Sequence, residues 1–365
     1  MFSNYVYHAS VSETFKAHCY DMALEVKAMI NDTKGAVIDI AANDGCLLDQ
    51  FKRAGFSWLS AVEPAKNLAL ECEAKGYYTH NQYWNYSTPV PRASVITATN
   101  VLAHVDDLND FVSAIFHHLP RCAKGICIIE VPYLINLINN NQFDTIYHEH
   151  LSYFLLRPLK LLFERCNLRI FKVKQVPIHG GSLRIYASRK TYVTHEYTEG
   201  YQPTGSKEDR NHEVRVEKDM EPLLPEDGSV QATLDLERSL GFYDKEKYEV
   251  YFDDINLLRL SLLSMLVGLK GKKVAAYGAS AKGISLLNYC LINNSLIHSI
   301  VDETPDKQGK WTPGSKIPIM PFSEFERIKP DYILLLAWNF APELIAKTKH
   351  LGAKYIVPIP EVKIL

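Results

Sequence analysis

Two short apolar runs, each breaking into a turn of small residues and then into a helix-forming stretch, constrain the fold of this chain more than anything else in it. The first is Ala36-Val37-Ile38-Asp39-Ile40 with the turn Ala41 to Gly45, and the second is Val274 to Tyr277 with the turn Gly278 to Gly283. A buried strand running through such a turn into a helix opens a βαβ unit, and these units build parallel sheets covered on both faces. Alternation continues behind each opening. After the first come a helix at Leu47 to Ala54, a strand at Trp58 to Val62, a helix at Asn67 to Lys75, strands at Ser94 to Thr99 and Gly125 to Val131, and a helix at Leu108 to Leu119. After the second come a helix at Gly283 to Leu291, strands at Ile297 to Asp302, Tyr332 to Ala337 and Tyr355 to Pro358, and helical stretches at Ser323 to Arg327 and Pro342 to Leu351. The pattern predicts an α/β chain with two doubly wound, Rossmann-like domains.

Leu168 to Val176 and Ser182 to Arg189 read as strands joined by Pro177-Ile178-His179-Gly180-Gly181, so an antiparallel hairpin ends the first sheet. Phe15 to Ile30 and Tyr248 to Leu269 carry apolar residues at helical spacing and lead into the two domains. Lys190 to about Arg238 is polar and rich in breakers, which reads as a connecting segment, partly flexible. The expected organisation is an N-terminal helical extension at 1–35, a first domain at 36–190, a polar connector at 191–243 and a second domain at 244–365. A length of 365 residues suits two cores.

Composition narrows the function classes. Forty Lys plus Arg against 42 Asp plus Glu leave a net charge of -2, which gives no electrostatic footprint for nucleic acid or an anionic membrane. Seven cysteines are scattered without a C-x-x-C pair, as in a reducing compartment, and no cysteine zinc site is indicated. Neither a secretory signal nor a run of roughly 20 apolar residues is visible, so the expectation is a cytoplasmic protein.

Three segments carry candidate chemistry. At the first turn, Asp39 ends a strand, small residues follow through Gly45, and Glu63-Pro64 ends the next strand. An acid there can accept both ribose hydroxyls of an adenosine. The turn keeps only Gly45 of a G-x-G-x-x-G pattern, which favours S-adenosylmethionine, a nucleoside without phosphates; an ordinary βα turn capped by Asp39 is the alternative. Tyr147-His148-Glu149-His150 packs a phenol, a carboxylate and two imidazoles into four residues, a set suited to moving protons. A strand would put Tyr147 and Glu149 on one face, whereas a helical turn would align Tyr147 with His150. Two histidines and a glutamate also suit a metal, although no ligand spacing supports one. At the second turn, Tyr277-Gly-Ala-Ser-Ala-Lys-Gly283, exposed amides at a helix start and Lys282 favour phosphate. Asp302 after the next strand leaves a dinucleotide site open there, and a packing turn is the plain alternative.

Segments in order along nearly the whole chain resemble the sugar C-methyltransferases that act on nucleotide-linked keto-deoxysugars. They are Phe2-Ser-Asn-Tyr5 with Ser10-Val-Ser-Glu-Thr-Phe15, Asp39-Ile-Ala-Ala-Asn-Asp-Gly45, Val62-Glu-Pro-Ala-Lys-Asn67, Asn100-Val-Leu-Ala-His104, Glu130-Val-Pro-Tyr133, Phe143-Asp-Thr-Ile-Tyr-His-Glu-His150, His179-Gly-Gly-Ser-Leu-Arg184, Tyr277-Gly-Ala-Ser-Ala-Lys-Gly283 and Leu335-Leu-Ala-Trp-Asn339. The cysteine-rich zinc module usual at the start of that family has no counterpart here, and Ala41 stands where glycine is common.

The resemblance implies a class I methyltransferase sheet in the first domain. It implies S-adenosylmethionine held by Asp39, Ala41, Asn43, Asp44, Gly45, Glu63, Pro64 and Asn100. A nucleotide-diphosphate sugar would lie in the cleft between the domains, against Tyr5, His179, Gly180, Ser182, Arg184, Gly278, Ala279, Lys282, Trp338 and Asn339. His150 is then the expected base, with Glu149 orienting it, Tyr147 donating to substrate, His104 a second active-site histidine and His148 turned outward. No metal is expected, because the methyl donor is already activated. The expected reaction is methylation at C-3 beside a C-4 ketone. A nicotinamide-dependent oxidoreductase using the second turn, or a non-catalytic sugar-nucleotide binder, are the rival readings.

Overall fold

The computed structural model describes residues 5, 8–121, 125–178, 180–197, 213–219 and 224–365. Helix α1 (Glu13–Ile30) begins on Ser12, whose Oγ accepts from Phe15 N at 3.2 Å, and ends on Asn31 with φ 49°. A hydroxyl cap and a left-handed asparagine are the expected start and stop of a helix. Phe15, Cys19, Met22, Val26 and Ile30 form its buried stripe.

Next along the chain come β1 (Val37–Ile40), α2 (Cys46–Ala54), β2 (Leu59–Val62), α3 (Lys66–Ala74), β3 (Tyr78–His80), β4 (Val95–Thr99), α4 (Leu108–His118) and β5 (Ile126–Pro132). These are followed by α5 (Leu134–Asn139), α6 (Leu156–Arg165), β6 (Leu168–Val176) and β7 (Ser182–Arg189). The seven strands lie in the order β3-β2-β1-β4-β5-β7-β6. Strands β1 to β5 pair in parallel, and β6 and β7 pair antiparallel over the two runs predicted from sequence. Val37, Val95, Ile126 and Ile128 pack one face of this sheet under α1 and α2. Strand order reverses at β1 and β4, and ligands of open α/β sheets bind at the carboxyl ends of strands at such a point.

The range expected to be a polar connector holds regular structure. Strands β8 (Thr191–Tyr197) and β9 (Glu213–Asp219) pair antiparallel, from Thr191 opposite Asp219 to Tyr197 opposite Glu213, and α7 (Ser229–Ser239) follows. Tyr192-Val193-Thr194 and Val214 with Val216 are β-favouring residues set among charges, and the charges masked that signal.

Helix α8 (Lys245–Gly268) leads to β10 (Val274–Tyr277), α9 (Ala281–Tyr289), β11 (Ile300–Val301), β12 (Ile319–Met320), α10 (Ser323–Ile328), β13 (Tyr332–Leu335), α11 (Ala341–Thr348), β14 (Lys354–Val357) and β15 (Lys363–Ile364). The order β12-β11-β10-β13-β14-β15 is parallel except for the last strand. Tyr277, Phe325, Ile333, Leu335 and Tyr355 share its core. Here the reversal falls at β10 and β13, where Gly278 to Lys282 and Trp338 follow.

The chain divides into two units, 1–131 with 154–178 and 182–236, and 132–153 with 179–181 and 237–365. Residues 132–153 therefore group with the second unit and not, as alternation suggested, with the first. The physical reason is in their bonds. Tyr133 OH donates to Glu237 Oε1 at 3.0 Å, Phe143 packs on Tyr289 at 4.9 Å between ring centres, and Asn141 Nδ2 donates to Pro360 O at 3.2 Å. Among the described residues the six cysteines are buried and unbridged, and no helix is long and apolar enough to cross a membrane.

Candidate active site

In the first unit the turn after β1 bends through Ala41, Asn43 and Gly45 at φ 52°, 53° and 78°. Positive φ in three of five residues folds the backbone tightly against the strand ends, which is where a small residue at 41 is needed. Glu63 is buried and clamps the turn: Oε2 accepts from Asn43 N at 2.8 Å, and Oε1 accepts from Ala65 N at 2.7 Å. Burial nevertheless holds its carboxyl above the usual range. Pro64 is half-buried beside it. Asp39 accepts from Thr97 Oγ1 at 2.7 Å, and burial pushes it up to about 7, with Glu63 adding to the rise.

Asn43 and Asp44 spend their side chains on the protein. Asn43 Oδ1 accepts from Ala9 N at 2.9 Å, and Asp44 accepts from Ser10 N at 3.0 Å and Cys46 N at 3.2 Å. Both lace the segment before α1 to the turn, and Tyr5 is laced likewise by two bonds to Asn67 at 3.0 and 2.8 Å. At the end of β4, Asn100 has φ 57°, and its Oδ1 is buried without a hydrogen-bond partner among the described residues. His104 closes the short 3-10 turn that follows and is half-buried. A tight turn, a buried acid with raised pKa and an orphaned amide oxygen at one switch point fit a cationic nucleoside such as S-adenosylmethionine.

Arg184 and Ser182 were expected at the substrate. The structure corrects this: Arg184 is 1% exposed, its Nε donates to Glu130 Oε1, and Nη1 donates to Glu25 Oε2 at 3.3 Å. His18 Nε2 lies 2.9 Å from Glu130 Oε2, and Tyr186 OH donates to Glu25 at 2.7 Å. A guanidinium this enclosed needs its carboxylates, so Arg184 is an interior ion-pair residue. Ser182 is fully buried and donates to Ile178 O at 3.2 Å. His179 lies outside the described residues.

In the second unit, Gly180 and Gly181 stand at φ 93° and 110°. A Cβ on Gly181 would sit 2.4 Å from Asn136 Nδ2, and one on Gly180 would sit 2.8 Å from Gln142 Oε1. Close approach thus accounts for both glycines.

Tyr147 to His150 form a turn, closed by His150 N donating to Tyr147 O at 3.0 Å. The rings align as a turn predicts, 4.5 Å between centres, and His148 faces outward while Glu149 is half-buried. His150 Nδ1 lies 2.9 Å from Thr145 O. A carbonyl only accepts, so in the neutral ring Nδ1 carries the proton and Nε2 presents its lone pair. Tyr147 OH is 3.3 Å from that Nε2, and Tyr153 OH also donates to Thr145 O, at 3.5 Å.

Asp144, one residue earlier, is fully buried. Trp338 Nε1 donates to its Oδ2 at 2.6 Å, and Lys282 Nζ stands 5.7 Å from the Trp338 ring centre. Asn339 is half-buried beside Trp338. The glycine turn itself offers fewer amides than expected. Gly278 N donates to Val301 O at 2.8 Å, Ala279 N to Asp302 Oδ2 at 2.7 Å, and Gly283 N to the cap Ser280 Oγ at 3.1 Å. Asp302 also pairs with Lys307 at 3.3 Å. Those three amides are spent on the protein, which leaves the first amides of α9 and the Lys282 side chain to meet an anion. Thr145 and Asp144 were missed from sequence, because they follow the polar run Asn139 to Gln142 and no local pattern marks an acid there as buried.

A methyltransferase domain matches residues 16–173, and the C-methyltransferase C-terminal domain matches residues 213–360. The protein is an S-adenosylmethionine-dependent methyltransferase. Over 377 residues it is 33% identical to the C-methyltransferase NovU of Streptomyces niveus, covering 100% of this chain and 82% of that protein. The chain belongs to this C-methyltransferase family. Among solved structures, the PH0226 protein of Pyrococcus horikoshii OT3 is similar at TM-score 0.42 and 11% identity, covering 51% of this chain and 95% of that one. A possible histamine N-methyltransferase of Thermotoga maritima is similar at TM-score 0.38 and 15% identity, over 48% and 91%.

Proposed function

We propose that the protein methylates a carbon beside a ketone in a nucleotide-diphosphate-linked keto-deoxysugar, at C-3 next to a C-4 ketone, with His150 as the base. One observation carries this reading. The Thr145 carbonyl accepts a hydrogen bond from Nδ1–H, so the neutral imidazole offers Nε2 as a base, beside the Tyr147 phenol and in the same unit as Lys282. S-adenosylmethionine supplies a methyl group already activated on a sulfonium. His150 Nε2 takes the proton from the sugar carbon, and the electron pair moves onto the ketone oxygen as an enolate. The enolate carbon then takes the methyl group as the carbon–sulfur bond breaks and the ketone re-forms, leaving a neutral thioether. Tyr147 turns its hydroxyl from Nε2 to the substrate, Glu149 steadies the imidazolium that forms, and His104 adds a second polar contact. In the first unit Glu63 accepts the ribose hydroxyls, and Asn100 Oδ1 accepts from the donor. Lys282 receives the diphosphate, with Trp338 and Asn339 beside it. The unbridged buried cysteines suit a cytoplasmic location.

The test is exchange of the α-proton. His150→Asn is expected to bind S-adenosylmethionine as the native protein does, by calorimetry, while losing both methyl transfer and deuterium uptake at C-3 in heavy water. Deuterium uptake at the native rate in that variant would overturn the role of His150.

A further inference from the structure

Asp144 combines features that the proposed chemistry does not use. It is fully buried, its Oδ2 accepts the Trp338 indole N–H at 2.6 Å, and its Oδ1 has no hydrogen-bond partner among the described residues. A buried unpartnered carboxylate oxygen is costly, and its persistence calls for a reason. Lys282, at the start of α9, lies over the face of that same Trp338, 5.7 Å from the ring centre. Acid, indole and ammonium thus form one cluster within the second unit, built from the turn Phe143–Thr145, the short turn Trp338–Phe340 after β13 and the start of α9.

We propose that Asp144 is a positioning residue that supplies the counter-charge for Lys282 and so equips the lysine to bind the substrate's diphosphate. The inference deepens the nucleotide-sugar reading and rests on it. Trp338 fixes the carboxylate through its N–H and offers its ring face to the ammonium, so the two charges are held together without a direct hydrogen bond. Burial alone moves Lys282 below the ordinary lysine range, and Asp144 opposes that fall. Asp144 is itself raised by burial, and Lys282 opposes that rise. The phenol of Tyr251 also lies near the acid, and burial pushes it above its ordinary range, so it carries no charge at physiological pH. Among the described residues, Asp144 is the charge that acts on Lys282.

Removing the Asp144 charge lets burial prevail, so the ammonium is lost at lower pH. Anion affinity should then fall with rising pH earlier than in the native protein. Calorimetry from about pH 6 to about pH 10 with thymidine diphosphate and guanosine diphosphate as probes reads this directly. Asp144→Asn retains an acceptor for Trp338. Its diphosphate affinity is expected to begin falling at least about one pH unit below the native limb, by about tenfold per unit. Adding Lys282→Arg should flatten the profile, because a guanidinium keeps its proton throughout. Lys282→Arg with Asp144 intact should also flatten the native alkaline limb, which keeps the test open if Asp144→Asn fails to fold. An unshifted limb in Asp144→Asn, a pH-independent loss, or an alkaline limb surviving in Lys282→Arg would each overturn the role. If the native protein binds neither probe, the nucleotide reading falls and this one with it. Native binding with an unshifted limb overturns this inference alone.

Discussion

Asp39 is 3% exposed at the end of β1, and burial pushes its carboxyl up to about 7. Because the folded value lies above the unfolded one, its contribution to stability is fully present below about pH 4 and is lost as pH rises through about 7. An amide in its place still accepts from Thr97 and carries no charge to bury. Asp39→Asn is therefore expected to raise the melting temperature at about pH 8, by at most a few kcal/mol of stability, and to leave it unchanged near pH 4. An equal shift at both pH values would contradict this account. Its affinity for S-adenosylmethionine should fall at the same time, since a cationic donor gains from a carboxylate that is paired with no cation among the described residues. Glu130 behaves oppositely. Burial raises its carboxyl, but the His18 hydrogen bond and the Arg184 charge outweigh it and hold the group below the usual range. Glu130→Gln leaves Arg184 interior and short of a partner, so urea unfolding should show a loss of about 3 to 5 kcal/mol. A loss under about 1 kcal/mol would mean that Glu25 suffices for the guanidinium.

Among the elements, the α9 packing against the end of β13 depends on a single missing atom. A Cβ on Gly283 would lie 2.7 Å from Leu336 Cβ and 3.3 Å from Gly278 O. Gly283→Ala should cost about 1 to 3 kcal/mol, visible as faster hydrogen exchange in β10 and β13 while β1 and β4 keep their protection. Unchanged exchange in both sheets would show that the helix can shift outward freely. Elements whose own pattern is strong were legible in the sequence. The runs Leu168–Val176 and Ser182–Arg189 appear with the expected bounds, and the turns after β1 and β10 stand where small residues placed them. What escaped has too little pattern of its own. Strands β12 and β15 have two residues each, too few for any period, and exist through pairing with β11 and β14. Helix α6 carries Pro158 in its first turn, where a missing N–H costs nothing, yet the proline reads as a breaker. At the site, Tyr147 with His150 and the positions of Lys282 and Trp338 were legible. Asp144 was not, because its role comes from an indole 194 residues away.

For the whole molecule, the second unit is completed by 132–153 and 179–181, which the chain makes long before it reaches 237–365. Without them Glu237 loses Tyr133, Trp338 loses Asp144 and Tyr289 loses Phe143. Residues 237–365 expressed alone are expected to melt well below the intact chain and with reduced cooperativity, by circular dichroism. A fragment that melts as sharply and as high as the full protein would show that the early segments are dispensable to that core. The same interleaving governs how such a gene can recombine. A crossover near codon 240 would join one parent's Lys282 and Trp338 to another parent's Asp144 and His150, although all four belong to one folded body. Lineages that trade halves in this way inherit mismatched partners. Substrate range is then expected to pass between them only when two short upstream pieces, the stretch from Pro132 to Tyr153 and the glycine pair at 180 and 181, are inherited with the C-terminal half.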